Sequence, residues 1–497
     1  MGASLGARPF TVVIVGGGFS GVVAAIQLLD AAAGRPLRVR IVEPRPDVGL
    51  GLAFSTTDPV HYLNGPARLF SVHPDRPDHL VDWIVVQGVA GQVPLPASGR
   101  LADAYVPRRL YGAYVRSELA RAEAQAGING FVEHLRAEAV DLLEDEAGGV
   151  RVALSDGRTV RGDIALLATG FSGNRPGFPV SPAAVASGRY FADPWTLSAS
   201  DAGQSLPPSG TVLFVGGGLT MLDALATLER QGFAGRYLSL SRHGLLVHER
   251  REPPAGREFI DDDALPVTAR ALLVLVKREL AALAAEGGDW QAVVPVVRAR
   301  LGRLWEGANA AERARFNRHL RRYWELALHR APGPSHETFL KVQAAGRLAT
   351  RAARIEAIDA DNASLLVRLR PRGAGAEGAV EDLRVDLVVN TTGAEYAWPR
   401  IAGRPLVTAL LGRGTVRPGG LGYGIDADAD AAVIGADGAV SARIFGIGPI
   451  LRGTRWESTT IVEIVAQASA FGALVAERHL ALRPAAAAPA DPHASAA

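Results

Sequence analysis

The hydrophobic positions form two similar blocks along the chain. In the first, residues 10–15 are a mostly apolar, largely β-branched run, followed by a glycine-rich turn, a stretch with helical spacing and a second strand-like run at residues 37–42. Residues 211–243 repeat this order. A strand, a glycine turn, a helix and a strand of this length are typical of a βαβ unit in a parallel sheet. The pattern predicts an α/β fold with two Rossmann-like dinucleotide-binding domains.

Between and after these blocks the pattern changes several times. Residues 265–330 have helical spacing and predict a helical insertion. A strand-like run ends in Ala168-Thr-Gly170, and a later one at 383–390 ends in Asn390-Thr-Thr-Gly393, which we interpret as the return to the first domain. The predicted organisation is an FAD-binding domain at 1–200, an NADPH-binding domain at 205–385, a return segment of the FAD domain at 386–483, and a disordered low-complexity tail at 484–497.

Composition narrows the chemistry. The chain has 497 residues, 53 basic and 51 acidic side chains, a formal net charge of +2 and no cysteine. The missing thiols exclude a disulfide framework, a cysteine nucleophile, Cys-ligated zinc and a CxxC relay. The balanced charge argues against a nucleic-acid partner. Without a signal peptide or a run of about 18 apolar residues, we expect a cytoplasmic protein with no membrane span.

The first glycine turn has the features of a dinucleotide site. Gly16-x-Gly18-x-Ser20-Gly21 follows a strand and opens a helix, so its backbone N–H groups and the helix N-terminus can receive a pyrophosphate. Glu43 ends the next strand, where a carboxylate accepts hydrogen bonds from an adenosine ribose. The alternative is an accidental glycine turn, but strand, helix and acid are all in register.

The second glycine turn is less complete. Gly216 and Gly218 are present, but Met221 occupies the third glycine position. Its second strand ends in Ser241-Arg242-His243 instead of an acid. Because an arginine can clamp a 2′-phosphate that a carboxylate would repel, this turn predicts NADPH rather than NADH.

Other clusters do not predict a metal. Asp426-x-Asp428-x-Asp430 lacks the glycine and the glutamate that a calcium loop needs, so we interpret it as a surface turn. The three histidines of one acid-containing stretch lack metal-ligand spacing; they are His61, His73 and His79. Arginines at 318, 321 and 322 beside two aromatic residues either bind an anion or form a solvated helix face, the second being favoured.

Three further segments carry a family resemblance. They are GLGLAFSTTDP at 49–59 leading into HYLNGPA at 61–67, VPRRLYGAY at 106–114, and FGIGPILRGTRWEST at 445–459. With the two glycine turns, they resemble the bacterial YdhS-like family of FAD/NAD(P)-binding proteins, which is related to flavin-containing and amine N-hydroxylating monooxygenases. The resemblance extends over nearly all of residues 10–480.

The resemblance implies roles for individual residues. The first glycine turn and Glu43 would hold FAD, with Gly51 beside its ring and Gly170 and Gly448 in turns around it. Asn64 would lie by the flavin and NADPH as a catalytic amide, and the stretch up to Trp456 would pass the flavin. The helix from Ser458 would aim its N-terminus at the ring. For Asn64 the alternative is a turn residue before Gly65-Pro66.

The resemblance and the two glycine turns give a leading function and two rivals. The leading hypothesis is an NADPH-dependent FAD monooxygenase that uses molecular oxygen, through a C4a-hydroperoxyflavin, to N-hydroxylate a small metabolite or amino acid. The rivals are an NADPH:acceptor oxidoreductase without oxygen insertion and a non-catalytic FAD-binding redox sensor. Without cysteine, the disulfide-reductase branch of flavoproteins is excluded. Arg109, Arg417 and Arg452 could bind a carboxylate, but no spacing identifies the substrate or the oligomeric state.

Overall fold

The computed structural model describes residues 8–145, 148–171, 176–254, 256–372, 379–401 and 403–481. The predicted disordered tail at 484–497 lies outside these residues. The strands are β1 Phe10–Val15, β2 Leu37–Val42, β3 Gly130–Leu135, β4 Ala139–Asp145, β5 Gly149–Leu154, β6 Thr159–Gly162, β7 Ile164–Leu167, β8 Tyr190–Phe191, β9 Thr211–Val215, β10 Arg236–Ser241, β11 Leu348–Asp361, β12 Ser364–Pro371, β13 Glu381–Val385, β14 Leu387–Asn390, β15 Ala432–Ile434 and β16 Val440–Gly446.

Helices connect the strands and cover the sheets. They are α1 Phe19–Ala32, α2 His79–Val86, α3 Arg108–Ala126, α4 Pro182–Ala186, α5 Ala202–Ser205, α6 Leu219–Arg230, α7 Ala269–Ala285, α8 Val293–Gly307, α9 Ala310–His319, α10 Arg321–Leu328, α11 Gly333–Ala344, α12 Pro405–Arg413 and α13 Ile461–Val475. Within the described ranges, none of the helices combines the length and the apolar character needed to cross a bilayer.

The first sheet has the strand order β15-β16-β7-β1-β2-β3 and is parallel except for β15. All six residues of β1 are buried, which explains why its sequence is mostly apolar instead of alternating between apolar and polar residues. Its alternate residues face two different cores: Val12 and Ile14 pack with α1, α3 and α13, whereas Val13 and Val15 pack against the small antiparallel sheet β4-β5-β6.

The second sheet has the order β13-β12-β11-β10-β9-β14-β8, in which β12 is antiparallel to both of its neighbours and the other strands are parallel to one another. Val212 and Phe214 of β9 pack with α6 on one face, and Leu213 and Val215 pack on the other. Four helices, α7 to α10, occupy the segment for which the sequence predicts a helical insertion.

The sheet order moves two of the domain boundaries predicted from the sequence. Both β8 and β14 pair within the second sheet, so the chain enters that sheet before residue 200 and leaves it after Asn390, not at 386. The turn at 390–393 therefore follows the last strand of the second sheet, and the chain after it returns to the first domain, where Trp398 and Ile401 pack with β1. It resembles Ala168-Thr-Gly170 because β14 lies beside β9 as β7 lies beside β1, at equivalent places in the two domains.

Candidate functional site: two glycine turns and a cavity

At the first glycine turn, the backbone packs closely against the end of β7 and against the start of α1. Gly16 has a φ of +109°, and a Cβ added there would lie 2.4 Å from the carbonyl oxygen of Ala168. A Cβ on Gly21 would lie 2.0 Å from the carbonyl oxygen of Gly16, so the third glycine permits the close approach of helix and strand. Gly18 precedes α1 without any side-chain cap, which leaves the first N–H groups of the helix available to an anion.

A cavity of about 560 Å³ opens in front of this turn. Six of the residues that the sequence assigns to the cofactor line it: Gly16, Gly18, Ser20, Glu43, Gly51 and Gly170. Thr459, Ile461 and Ile464 also line it, so the start of α13 faces the cavity as the resemblance implies. These residues come from four separate segments that the parallel sheet brings to the carboxyl ends of its strands.

Glu43 is held in place at the end of β2. Its side chain is buried, one oxygen accepts a hydrogen bond from the Gly17 N–H at 3.0 Å, and the other accepts from the backbone N–H and the Nε–H of Arg45, both at 3.1 Å. Because each carboxylate oxygen has two lone pairs, acceptor capacity remains for ribose hydroxyls. The residues present therefore fit the adenosine part of FAD.

The second glycine turn repeats the geometry of the first. Gly216 has a φ of +119°, and a Cβ on it would lie 2.7 Å from the carbonyl oxygen of Thr391. A Cβ on Gly218 would meet no atom within 4 Å, so the backbone here is open to a ligand. Gly218 precedes α6 without a side-chain cap. Met221 is fully buried in the core beneath the second sheet, where α6 packs.

Arg242 lies exposed just after β10 as part of a basic cluster. Its carbonyl oxygen accepts a hydrogen bond from the guanidinium of Arg372 at 2.9 Å, and the same Arg372 nitrogen lies 2.8 Å from Nδ1 of His243. Partial burial, followed by the charges of Arg322, Arg372 and Arg242, lowers the pKa of His243. The sequence prediction named Arg242 of this basic cluster but not Arg372. It interpreted Arg322, whose charge also acts on His243, as part of a solvated helix face.

Two residues named from the resemblance lie away from the cavity lining. Asn64 is partly buried and is not among the lining residues, and it follows Leu63, whose N–H donates to the carbonyl of Val106. Trp456 is buried between Trp305 and Phe316, with ring centroids 4.7 and 5.2 Å away.

The segment before Trp456 does reach the cavity. Pro449 and Ile450 are lining residues, and Gly448 packs beside Ser20, where a Cβ would meet the Ser20 Oγ at 2.5 Å.

A charged cluster next to the cavity could not be assembled from sequence spacing. The Arg452 guanidinium lies 4.5 Å from the ring centroids of both Tyr396, a cavity-lining residue, and Trp456. It donates to a Glu325 oxygen at 2.6 Å, and the same oxygen accepts from Arg321 at 2.9 Å. Burial opposes the charge of Glu325, but the two arginines outweigh it and lower the pKa of that carboxyl.

Two further groups of this cluster have altered proton affinity. Burial lowers the pKa of His329 to about 4, so this imidazole is neutral at pH 7. Burial raises the pKa of Glu457, and the hydrogen bond from the Trp324 indole, 2.7 Å long, only partly opposes it. The helical insertion and the return segment thus form a polar wall beside the cavity, and the sequence identified only Arg452 and Arg321 of it.

The histidines are closer together than their spacing predicts. His73, His79 and Glu118 place ligand atoms within 4.8 Å of one another. Glu118 already accepts hydrogen bonds from His73 at 2.8 Å and Arg121 at 2.6 Å, and His79 bonds the Tyr114 hydroxyl. These contacts tie α2 to α3, and the adjacent guanidinium disfavours a cation.

Comparison with known proteins places this geometry in context. Residues 13–172 match the model of a family described as FAD-NAD(P)-binding. No curated protein sequence matches the chain significantly. Among solved structures, an ornithine N-hydroxylase of Kutzneria sp. 744, solved with reduced FAD, NADP⁺ and L-ornithine, is similar with a TM-score of 0.63 at 14% identity, covering 95% of this chain and 100% of that one.

Two more neighbours act on other amines. An L-lysine 6-monooxygenase from Pseudomonas syringae has a TM-score of 0.58 at 16% identity, covering 95% of this chain and 99% of the other. The FAD-bound cadaverine monooxygenase DfoA of Erwinia amylovora has a TM-score of 0.57 at 12% identity, covering 95% and 96%. The protein has the fold of the N-hydroxylating flavin monooxygenases. The predicted fold class is therefore confirmed, and the family match confirms the predicted FAD/NAD(P) class of cofactor for the first domain.

Proposed function

We propose that this protein is an NADPH-dependent FAD monooxygenase that hydroxylates the amine of a small metabolite, an amino acid being the leading class. The observation that carries the proposal is the pair of equivalent glycine turns in two parallel sheets, each opening an uncapped helix. Neighbours with the same fold act on ornithine, lysine and cadaverine.

The first domain supplies a site for FAD. Gly18 and Gly51 leave room for the pyrophosphate and the ring, Glu43 accepts from the ribose, and the N-terminus of α13 faces the cavity with its positive end. When bound, FAD would supply the hydride-accepting and oxygen-activating chemistry of the reaction. A positive helix end at this place stabilises negative charge that develops on the reduced ring.

The second domain supplies a site for NADPH. The open backbone at Gly218 receives the pyrophosphate, and Arg242 with Arg372 binds the 2′-phosphate. A charge of about −2 at that phosphate matches the basic cluster around His243. NADH, which lacks the phosphate, would leave these guanidinium groups without an anionic partner.

We propose that the substrate binds against the charged wall next to the cavity. Arg452 and Arg321 offer donors to a carboxylate, while Glu325 and Glu457 offer oxygens to an amine. Glu457, whose pKa is raised, is suited to take a proton from a substrate ammonium so that the neutral amine can act as nucleophile. We retain Asn64 as a proposed amide donor near the reacting centre.

The test is the stoichiometry of the reaction in purified protein. NADPH oxidation, oxygen consumption and formation of hydroxylamine product are measured together with single amino acids and diamines. The proposal is supported if one amine gives equal amounts of NADPH oxidised, oxygen consumed and hydroxylamine formed. Oxygen consumption that yields only hydrogen peroxide with every amine, or reduction of an added quinone without oxygen insertion, favours the acceptor oxidoreductase. Bound FAD that NADPH cannot reduce favours the redox sensor and overturns the proposal.

A further inference from the structure

Asp58 links the two dinucleotide-binding domains through buried polar contacts. It lies in the segment that follows the first glycine turn, and its side chain has no exposed surface. Its two oxygens accept from Nε and Nη2 of Arg230, both at 2.9 Å, and from the hydroxyl of Thr227 at 2.9 Å. Both partners lie on α6, the helix that the second glycine turn opens. A bidentate arginine–carboxylate pair fixes orientation as well as distance.

A closed ring of hydrogen bonds surrounds this ion pair. Thr227 donates to Asp58 and therefore accepts from Nε2–H of His61 at 2.9 Å, while Nδ1 of His61 accepts from the hydroxyl of Thr56 at 2.8 Å. The Thr56 oxygen in turn accepts from the N–H of Asp58 at 3.2 Å. This order is that of a neutral imidazole protonated at Nε2, with Nδ1 as the acceptor.

The charges facing His61 agree with that protonation state. Burial lowers the pKa of His61 and Arg108 adds to the effect, whereas Asp223 and Asp58 oppose it. Burial raises the pKa of Asp58, but the Arg230 hydrogen bond and the other donors outweigh it and the pKa is lowered. Neutral histidine and ionised aspartate therefore coexist at pH 7.

A second ion pair lies alongside the first. Arg108, at the start of α3, donates to the carboxylate of Asp223 on α6 at 2.9 Å and to the carbonyl of Tyr62 at 3.0 Å. Its guanidinium lies 5.0 Å from the Trp195 ring, which also packs edge-on against His61. Two ion pairs with buried carboxylates thus hold one helix of the second domain against the first, and a rotated arrangement would leave these carboxylates unpaired.

We propose that Asp58, with its partners Arg230, Thr227 and His61, is a positioning residue that sets the orientation of α6, and hence of the NADPH site, relative to the flavin cavity. This inference rests on the proposed function. The contacts join the helix that would carry the pyrophosphate of NADPH to the segment that contains Gly51 and borders the cavity. The rate of hydride transfer depends steeply on the relative placement of the nicotinamide and flavin rings. A small rotation of this helix should therefore slow the transfer.

The test compares Asp58→Asn with a control on the same helix. Asp58→Asn removes the charge that Arg230 requires. Glu229→Gln is the matched control, because Glu229 lies on α6 but pairs with Arg347 and Tyr237 inside the second domain. Both variants lose one arginine–carboxylate ion pair, and only the first pair spans the two domains.

The first readout needs no cofactor turnover. Because the chain has no cysteine, Ile128→Cys and Val185→Cys introduce one spin label in each domain, at side chains that are 86% and 54% exposed. Double electron–electron resonance then gives the distance between the two spin labels, one in each domain, in the protein without NADPH. We expect one narrow distribution for the parent and for Glu229→Gln, and a broadened or shifted one for Asp58→Asn.

The second readout separates positioning from binding. At saturating NADPH, flavin reduction in Asp58→Asn should slow by roughly 10-fold to 100-fold, while FAD content and NADP⁺ affinity stay close to those of the parent. An unchanged distance distribution, an unchanged reduction rate, or equal effects in Glu229→Gln overturns the inference. If NADPH fails to reduce the parent enzyme, the proposed function fails instead, and the label distances still report whether Asp58 orients the domains.

Discussion

The carboxylate of Glu43 is bonded to the backbone of Gly17, the middle glycine of the first turn, at 3.0 Å. This contact joins the end of β2 to the glycine turn, so the acid that would receive the ribose also fixes the loop that would receive the pyrophosphate. Substrate-independent binding of FAD should therefore depend on this one side chain.

Glu43→Gln should weaken FAD binding by about 10-fold to 100-fold, since hydrogen bonds to a charged group contribute about 1.5–3 kcal/mol. The measurement is the dissociation constant of FAD for the apoprotein, by flavin fluorescence. Glu133→Gln, on the neighbouring strand β3 and paired with Arg40, is the control and should bind FAD like the parent. Equal affinities for the two variants would contradict the assignment of Glu43.

The two glycine turns should be separable by alanine substitution. A Cβ on Gly218 would meet no protein atom within 4 Å, so Gly218→Ala should fold and keep FAD but lose affinity for NADP⁺ by an order of magnitude. Gly302→Ala, inside α8 and also free of contacts, is the control, and it should raise stability by about 0.5–1 kcal/mol without changing either ligand. Retained NADP⁺ affinity in Gly218→Ala would exclude this turn as the second nucleotide site.

Arg242→Ala should lower the affinity for NADPH much more than that for NADH. The loss for NADPH should be about 10-fold or more, the effect of one charge-assisted hydrogen bond of about 1.5–3 kcal/mol. Arg372→Ala should do the same, because its guanidinium bonds the Arg242 carbonyl. Arg368→Ala serves as the control, because Arg368 lies on β12, the strand that ends just before Arg372, but pairs with Asp382. Equal changes for both nucleotides would remove Arg242 and Arg372 from the 2′-phosphate site.

Elements of the fold could be predicted from the sequence where the residues that determine them are close together in the chain. The strand β1 and the glycines after it lie within 12 residues, and central parallel strands such as β1 and β9 are mostly apolar. The end of the second sheet at Asn390 differs from the boundary placed at 386, because sheet membership of β14 depends on pairing with β9, which lies far away in the chain. The partners of buried polar side chains are the most difficult to predict. Asp58 pairs with Arg230, 172 positions away in the chain, and no sequence periodicity indicates which charged residues will form such a pair.

His329 should make stability depend on pH in the acidic range. Burial lowers its pKa to about 4 from an ordinary 6.5, so the folded protein holds the neutral form. A base with a depressed pKa stabilises the fold above pH 6.5, and that contribution is lost as the pH falls towards 4, by about 3 kcal/mol in total.

Urea unfolding of the parent and of His329→Gln at several pH values measures the contribution of His329 to the free energy of unfolding. The difference in unfolding free energy between the two proteins should shrink as the pH falls from 7 to 4. His134→Gln, at a partly exposed histidine that bonds the Glu43 carbonyl, is the comparison at another site of the fold. A difference that does not vary with pH would show that His329 titrates as an exposed histidine does.

Arg452→Lys should separate substrate binding from flavin reduction. Lysine keeps the charge but cannot stack between Tyr396 and Trp456 or present a planar pair of donors. We expect the KM of the amine substrate to rise about 10-fold, a loss of about 1.4 kcal/mol, with the rate of flavin reduction by NADPH unchanged. Arg417→Lys, which changes an arginine of the same return segment that pairs with Asp426, should leave both constants at the parent values. A parallel fall in flavin reduction would instead make Arg452 part of the support of the cofactor cavity, because Tyr396 lines that cavity directly.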